Sequence, residues 1–487
     1  MGAAEKEGIV ATADAERKET CLMKRWFALS LSMIAMLSLL FPVSAMANSA
    51  QTHWRGTSST GAILSGEDCP IIVEHESLSF DIPEFPQQHY ADAEDFLKYS
   101  GSVTAEYTFY NPADYKVDAT LVFPFGGYPD YRITYDQETE KRIRSIDTEK
   151  YEILINDEAI AKELRHTFSF FGDPFELEQE LAKLDGNTLN SDFYSSALPV
   201  TKYTFLAKDV DVETYDAATA AIVLNSNGEE TKVFMENQCG GAILESGVRM
   251  DTWVDLEEPF SVYVIGKQIA LPEWNFYHNG ACTDEIDGRM ELLSTESMTL
   301  RAFALSEYDA AYGVSEEDWY QAVIYQLDYF QWTNGAIHST EVEMNPAERN
   351  RLMRWYQYEI TLEPGERIVN TVTAPIYPSI DVKYEPPIYT YTYLLSPAQS
   401  WAAFGDLDIV MDTPYYMTKS ALEGFTWNNL GYALHLNELP EGELTFTLCT
   451  EPNPTLPESN SYAVILLGAV IGAFVGGQYF GVRKKRK

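Results

Sequence analysis

Along much of the chain apolar and polar residues alternate singly, the period of a strand with one buried face. Val103, Ala105, Tyr107 and Phe109 point one way and Thr104, Glu106 and Thr108 the other; after Asn111-Pro112-Ala113-Asp114 the alternation resumes with Val117, Ala119, Leu121 and Phe123. This predicts a strand pair with a polar outer face. A second pair is expected from Tyr151 to Ile155 and from Ile160 to Phe168, turning at Asn156-Asp157. Tyr356, Tyr358, Ile360 and Leu362 alternate with Gln357, Glu359 and Thr361 before Glu363-Pro364-Gly365-Glu366 turns the chain into Arg367 to Val372, and Leu444, Phe446 and Leu448 give a last strand face.

Two stretches switch to helical spacing. Asp173-Pro174 opens a short helix that Gly186 ends. Ser315-Glu316-Glu317-Asp318 resembles a capping box, and Trp319, Val323, Leu327 and Phe330 then make one apolar stripe before Asn334-Gly335. Asn345-Pro346 starts a further short turn. The fold class expected is mainly β: two β-sandwich-like extracellular domains at about 69–270 and 289–450, with a helical insertion at about 315–353 in the second.

Both ends of the chain carry patterns of a different kind. Met23-Lys24-Arg25, an apolar run from Trp26 to Phe41 and the small residues of Ala45-Met46-Ala47 read as a signal peptide over 23–47, with 1–22 as a non-native extension and 48–68 as a polar segment. Tyr462 to Val482 holds no acid or base and reaches roughly 31 Å as a helix, enough for a single transmembrane span. The basic tail 483–487 then predicts a cytoplasmic C-terminus and an outward-facing bulk. Residues 451–461 form a Pro-rich stalk, in which Leu456-Pro457-Glu458-Ser459-Asn460 is similar to a sortase recognition motif, with Ser459 and Asn460 where Thr and Gly are usual. Gly468, Gly472 and Gly476 recur every fourth residue in the span, a spacing that permits helix–helix self-association. The only Asn-x-Ser/Thr acceptor in the exported part is blocked by Pro454, which favours a bacterial surface.

The chain of 487 residues carries a formal net charge of −40. Five bases and five acids precede Asn48 and five bases follow Val482, so the exported part is more acidic still, a field that repels nucleic acid and favours cations or basic partners. Four cysteines remain after processing, and Cys239–Cys282 with Cys69–Cys449 is the preferred disulfide pairing.

Motifs for nucleophilic catalysis, zinc hydrolysis and phosphate binding are absent from the sequence. Carboxylates are the abundant reactive groups. Asp209, Asp211 and Glu213 would share one strand face and are the calcium candidates, with Asp284, Glu285 and Asp287 and then Asp406, Asp408 and Asp412 as lesser clusters. Tyr389, Tyr391 and Tyr393, followed by Trp401, could offer flat rings to a sugar. His75 and His166 each flank a predicted strand and read as surface or satisfied core residues.

The run Val103 to Phe125, ending Leu121-Val122-Phe123-Pro124-Phe125, resembles the β-module shared by vault and inter-alpha-trypsin proteins, and Tyr151 to Arg165 is similar to that module's later hairpin. The resemblance, over residues 75–168, implies a β-module; the adhesive Asp-x-Ser-x-Ser motif of that family does not occur here, so metal-dependent adhesion of that type is not implied. The function expected is a single-pass membrane-anchored surface binding protein with an envelope glycan or protein as ligand. A carbohydrate-active hydrolase using paired carboxylates and a structural role in a membrane complex are the alternatives.

Overall fold

The computed structural model describes residues 58–60, 63–65, 69–86, 101–126, 134–135, 142–143, 151–169, 177–186, 193–214, 217–348, 352–428 and 430–456, all within one compact unit, His53–Lys487. The expected signal peptide, the expected stalk from Pro457 onward, the apolar run with Gly468, Gly472 and Gly476, and the basic tail lie outside the described residues. Among the described residues no helix is long and apolar enough to cross a membrane.

The chain is mainly β, as the alternation predicts. Strand Gly101–Tyr110 buries Val103, Ala105, Tyr107 and Phe109 and leaves the intervening residues partly or fully exposed. Its partners, however, are distant in sequence. It pairs antiparallel with Ile72–Asp81 on one side and with Arg367–Ile376 on the other, while Val117–Gly126 pairs with Leu352–Leu362 in a different sheet. The expected hairpin at Asn111 is therefore an arch between two sheets. The same correction applies at 363–366, where the chain passes from Leu352–Leu362 into Arg367–Ile376 of the facing sheet. The Asn156-Asp157 turn does close a hairpin, between Glu152–Ile155 and Glu158–Ala159, with both turn residues at positive φ; Lys162–Phe168 then leaves for the sheet of Leu352–Leu362.

Asn111 ties the two arches together. Its buried side-chain amide donates to the carbonyls of Tyr115 (2.9 Å), Leu362 (3.2 Å) and Glu363 (3.1 Å) and its Oδ1 accepts from the backbone of Ala113 (3.0 Å). Turn chemistry legible in sequence thus serves a junction that joins residues about 250 positions apart.

The large sheet has eight strands in the order Thr426–Trp427, Gly431–Leu436, Phe404–Asp412, Ile72–Asp81, Gly101–Tyr110, Arg367–Ile376, Glu152–Ile155, Glu158–Ala159. Its inner face packs on two smaller sheets, one built around Val117–Gly126 and Leu352–Leu362, the other around Ile388–Leu394 and Leu444–Cys449. Phe80 meets Tyr393 and Phe446 edge-on, and Tyr391 stacks on Phe446, so this core is rich in rings.

A second sandwich is inserted in the first. The chain leaves after Lys162–Phe168 and returns at Leu352–Leu362, and these two strands pair with Phe168 opposite Leu352. Within the excursion, Thr231–Met235, Phe260–Gly266, Pro199–Lys208 and Arg289–Thr299 form one sheet; Gln238–Leu244, Gly247–Trp253, Thr219–Leu224, Asn275–Tyr277 and Glu285–Ile286 form the other. Pairing thus runs across the expected boundary at 270–289, because Pro199–Lys208 and Arg289–Thr299 are neighbours and Ile72–Asp81 pairs with Phe404–Asp412.

Among the described residues three α-helices accompany the sandwiches: α1 (Leu177–Leu184), α2 (Leu300–Ala304) and α3 (Glu316–Tyr329). Ser315 caps α3 as predicted, its hydroxyl accepting from the Asp318 backbone (3.0 Å), and Trp319, Val323 and Leu327 are buried against Phe303, Val200 and Phe234. Gly186, at φ 71°, follows α1. Asp318 performs a second task. Its buried carboxylate accepts from Arg165 Nε (3.0 Å) and from the backbone N–H of His166 (2.9 Å), both on the strand Lys162–Phe168. Burial opposes its charge, but the hydrogen bond with His166 and the charge of Arg165 more than offset that and hold the carboxyl below its usual range.

Two stability predictions follow from this core. Asp318→Ala removes the charged partner of Arg165, which keeps Gln357 Oε1 and the Leu184 carbonyl, and leaves the His166 amide unpaired, and urea unfolding at pH 7 should show a loss of about 2 to 3 kcal/mol. Glu76, which faces the core of the first sandwich, is fully buried beside the hydroxyls of Tyr107 and Tyr393 without a well-formed hydrogen bond, so burial dominates and pushes its carboxyl up to about 8. The folded state therefore holds a proton that the unfolded chain releases near 4.5, and stability falls as pH rises between those two values. Glu76→Gln should remove that slope and be the more stable protein at pH 8, by an amount on the order of 4 kcal/mol relative to the difference at pH 5; parallel slopes for both proteins would contradict it.

Candidate functional site

The sequence-predicted ligands separate in the folded chain. Pro199–Lys208 ends before Asp209, which adopts φ 58° and pairs with Arg289 (3.2 Å), while Asp211 accepts from the Thr214 backbone (3.0 Å) as a turn cap and Glu213 is exposed. The three acids are not on one strand face, and the repulsion that calcium would relieve is not assembled there. The aromatic platform is likewise redirected. Tyr391, Tyr393 and Trp401 are core residues, and Tyr389 is stacked on Phe85 with ring centroids 3.8 Å apart. The inner face of Ile388–Leu394 needs rings for packing, which takes them away from any sugar.

All four described cysteines are free thiols, correcting both expected disulfides. Cys449 is buried and its thiol points to the carbonyls of Pro386 (3.9 Å) and Pro387 (3.5 Å), and burial raises the half-buried Cys69 thiol. Cys239 and Cys282 are brought into one neighbourhood, as expected, but around the buried carboxylate of Asp251, which lies 3.8 Å from the Cys282 sulfur. Burial first, then the Asp251 charge, pushes each of these two thiols up to about 11.

The constellation that does converge lies on the outer face of the large sheet. Phe404–Asp412 runs parallel to Ile72–Asp81, with Asp406 opposite His75, and antiparallel to Gly431–Leu436, with Asp408 opposite His435. Leu407, Ile409 and Met411 point into the core, so Asp406 and Asp408 share the other face, between one histidine on each flanking strand. His75 Nδ1 is 3.2 Å from Asp406 Oδ2, His75 Nε2 is 3.8 Å from Asp408 Oδ2, and His435 Nδ1 is 2.8 Å from Asp408 Oδ1. The side chains are partly open to solvent, from 35% for His75 to 52% for His435. The Asp408 hydrogen bond, first, and its charge raise the His435 imidazole above its ordinary value.

Local backbone features aim this cluster. The register of Ile72–Asp81 shifts between Val73 and His75, leaving Glu74 as the extra residue, held by two 2.8 Å hydrogen bonds from Arg367. Gly405 sits against that bulge, where a Cβ would come within 2.0 Å of the Glu74 carbonyl, so the residue before Asp406 must be glycine for the strands to close. Asp412, the third acid of the cluster named in sequence, is roughly 13 Å further along the strand. Sequence spacing shows Asp406 and Asp408 as a pair; it carries no signal for His75 or His435, whose partnership depends on strand order.

No family model matches the chain, and no curated protein matches it either. Among solved structures it is similar to a "putative nutrient binding protein" from Legionella pneumophila, at 10% identity over 81% of this chain and 71% of that one, with a TM-score of 0.32. A likeness of that size carries no argument about fold or function.

The thiol chemistry is directly testable. In the untreated protein, the thiols of Cys69, Cys239, Cys282 and Cys449 should all react with a disulfide reagent after unfolding, whereas at pH 8 in the folded state Cys239 and Cys282 should react slowly; Asp251→Asn, by removing a carboxylate that raises both, should speed their modification. A count below four after unfolding would restore the disulfides.

Proposed function

We propose that the chain is a single-pass, membrane-anchored cell-surface binding protein, offering the outer face of its eight-stranded sheet to a ligand in the envelope. One observation supports this reading above the others: ionisable side chains from three strands meet on an open sheet face, held by a backbone ladder that needs no closing movement. A rigid, preorganised face loses little freedom when a partner docks, the main requirement for affinity from a small contact. The acidic bulk favours ligands that bring cations or basic groups. The apolar run 462–482 and the basic tail 483–487 would hold this surface close to the outer leaflet.

Two measurements test the reading. Protease added to intact cells should remove the acidic bulk of the full-length protein; protection in intact cells with digestion in lysates would place it on the other side. The detergent-solubilised full chain, presented to a glycan array and to envelope extracts, should capture a ligand, and Asp406→Ala/Asp408→Ala should weaken that capture at least tenfold, about 1.4 kcal/mol. Capture equal in wild type and variant would move the binding surface elsewhere.

A further inference from the structure

We propose that His75, Asp406 and Asp408 bind one divalent cation of the zinc type, with His435 positioning Asp408 from the neighbouring strand. The candidate ligand atoms of the three residues all lie within 4.8 Å of one another. In a tetrahedral site with bonds of about 2.0 to 2.1 Å, ligand atoms stand about 3.4 Å apart. One imidazole nitrogen can serve a given ion; His75 Nδ1 stands 3.2 Å from Asp406 Oδ2, close to that distance, while the Asp408 oxygen lies within the 4.8 Å that encloses the set. Accepting an ion requires the ligand atoms to draw together by about 1 Å, a side-chain rotation on an open face.

The roles divide by geometry. Asp408 Oδ1 accepts from His435, which leaves Oδ2 turned toward His75 and available to a metal. A hydrogen-bonded carboxylate oriented in this way is the usual outer support of a metal ligand. Asp406 and Asp408 are two residues apart on one strand face and His75 comes from the parallel neighbour, so three ligands are fixed by strand register and not by loops.

Chemistry selects the class of ion. Two carboxylates balance the charge of a dication, and a neutral imidazole is a donor that zinc and its neighbours take readily. Calcium takes six to eight oxygens, and three side chains, one of them nitrogenous, supply too few. Three protein ligands also leave a position open on the solvent side. Resting on the surface-binding reading above, that position lets a carboxylate or hydroxyl of an envelope ligand complete the coordination.

The test uses the untagged full chain in detergent, stripped with chelator and titrated with Zn2+ against a chromogenic competitor. One ion should bind per chain. Asp406→Asn/Asp408→Asn should weaken it at least 100-fold with an unchanged melting temperature, since both positions are on the exposed face, and His435→Ala should weaken it about 10- to 100-fold. Ca2+ in 100-fold excess should not displace the Zn2+. Stoichiometric zinc that persists in the double Asn variant would overturn the proposal, as would a Co2+ spectrum with an intense thiolate charge-transfer band, which would assign the ion to Cys239 and Cys282. Zinc binding without any envelope ligand would sink only the surface-binding reading; ligand capture without zinc binding would sink only the metal site.

Discussion

The whole architecture depends on one non-local ladder, the central position of Ile72–Asp81 between Gly101–Tyr110 and Phe404–Asp412. Its parallel pairing with a strand more than 300 positions later brings the early and late parts of the chain into one sheet. A parallel pair cannot be closed by a tight turn, so everything between must form a connection that leaves the sheet and returns to it. That constraint accounts for the nesting: the second sandwich and its helices occupy the excursion, and the first sandwich is complete only when both of its halves are present. The arches at Asn111 and at 363–366 obey the same logic, carrying the chain from one layer of the sandwich to the other while Asn111 locks them side by side.

The inserted part is fastened to its host by polar contacts as well as by strand pairing. Phe168 and Leu352 pair at the root of the excursion, and both also belong to the apolar cluster around α3. Asp318, in the first turn of that helix, reaches back to Arg165 and to the His166 amide. A carboxylate only 2% exposed is tolerated because each oxygen has a donor, one charged and one from the backbone. The contrasting case is Glu76, equally buried but facing phenols, where burial decides and the acid keeps its proton. Two acids of similar exposure thus take opposite charge states because only one of them has a cation and a well-aimed amide.

The outer face of the large sheet follows from the inner one. Packing of Leu407, Ile409 and Met411 into the ring-rich core forces Asp406 and Asp408 outward on the alternate positions. The bulge at Glu74 and the glycine at 405 set the local register that brings His75 level with Asp406. The convergence of imidazoles and carboxylates is a product of strand order, and the same order draws Tyr391, Tyr393 and Trp401 inside, where they are worth more as packing than as a platform.

Local chemistry in the sequence was enough for the period-two faces of 101–110 and 352–362, the Ser315 cap and apolar stripe of α3, the turns at Asn111, Asn156 and Gly365, and the acidity of the bulk, because each depends on residues a few positions apart. Only the folded chain decided which strands are neighbours, that the turns at Asn111 and Gly365 are arches, that Cys239 and Cys282 face Asp251 as thiols, and that His75, Asp406, Asp408 and His435 meet. The physical reason is that alternation states which face of a strand is buried but is silent on its partner. Ladder hydrogen bonds are the same for every pair of backbones, so partner choice is settled by how whole faces pack and not by any residue a sequence window can see.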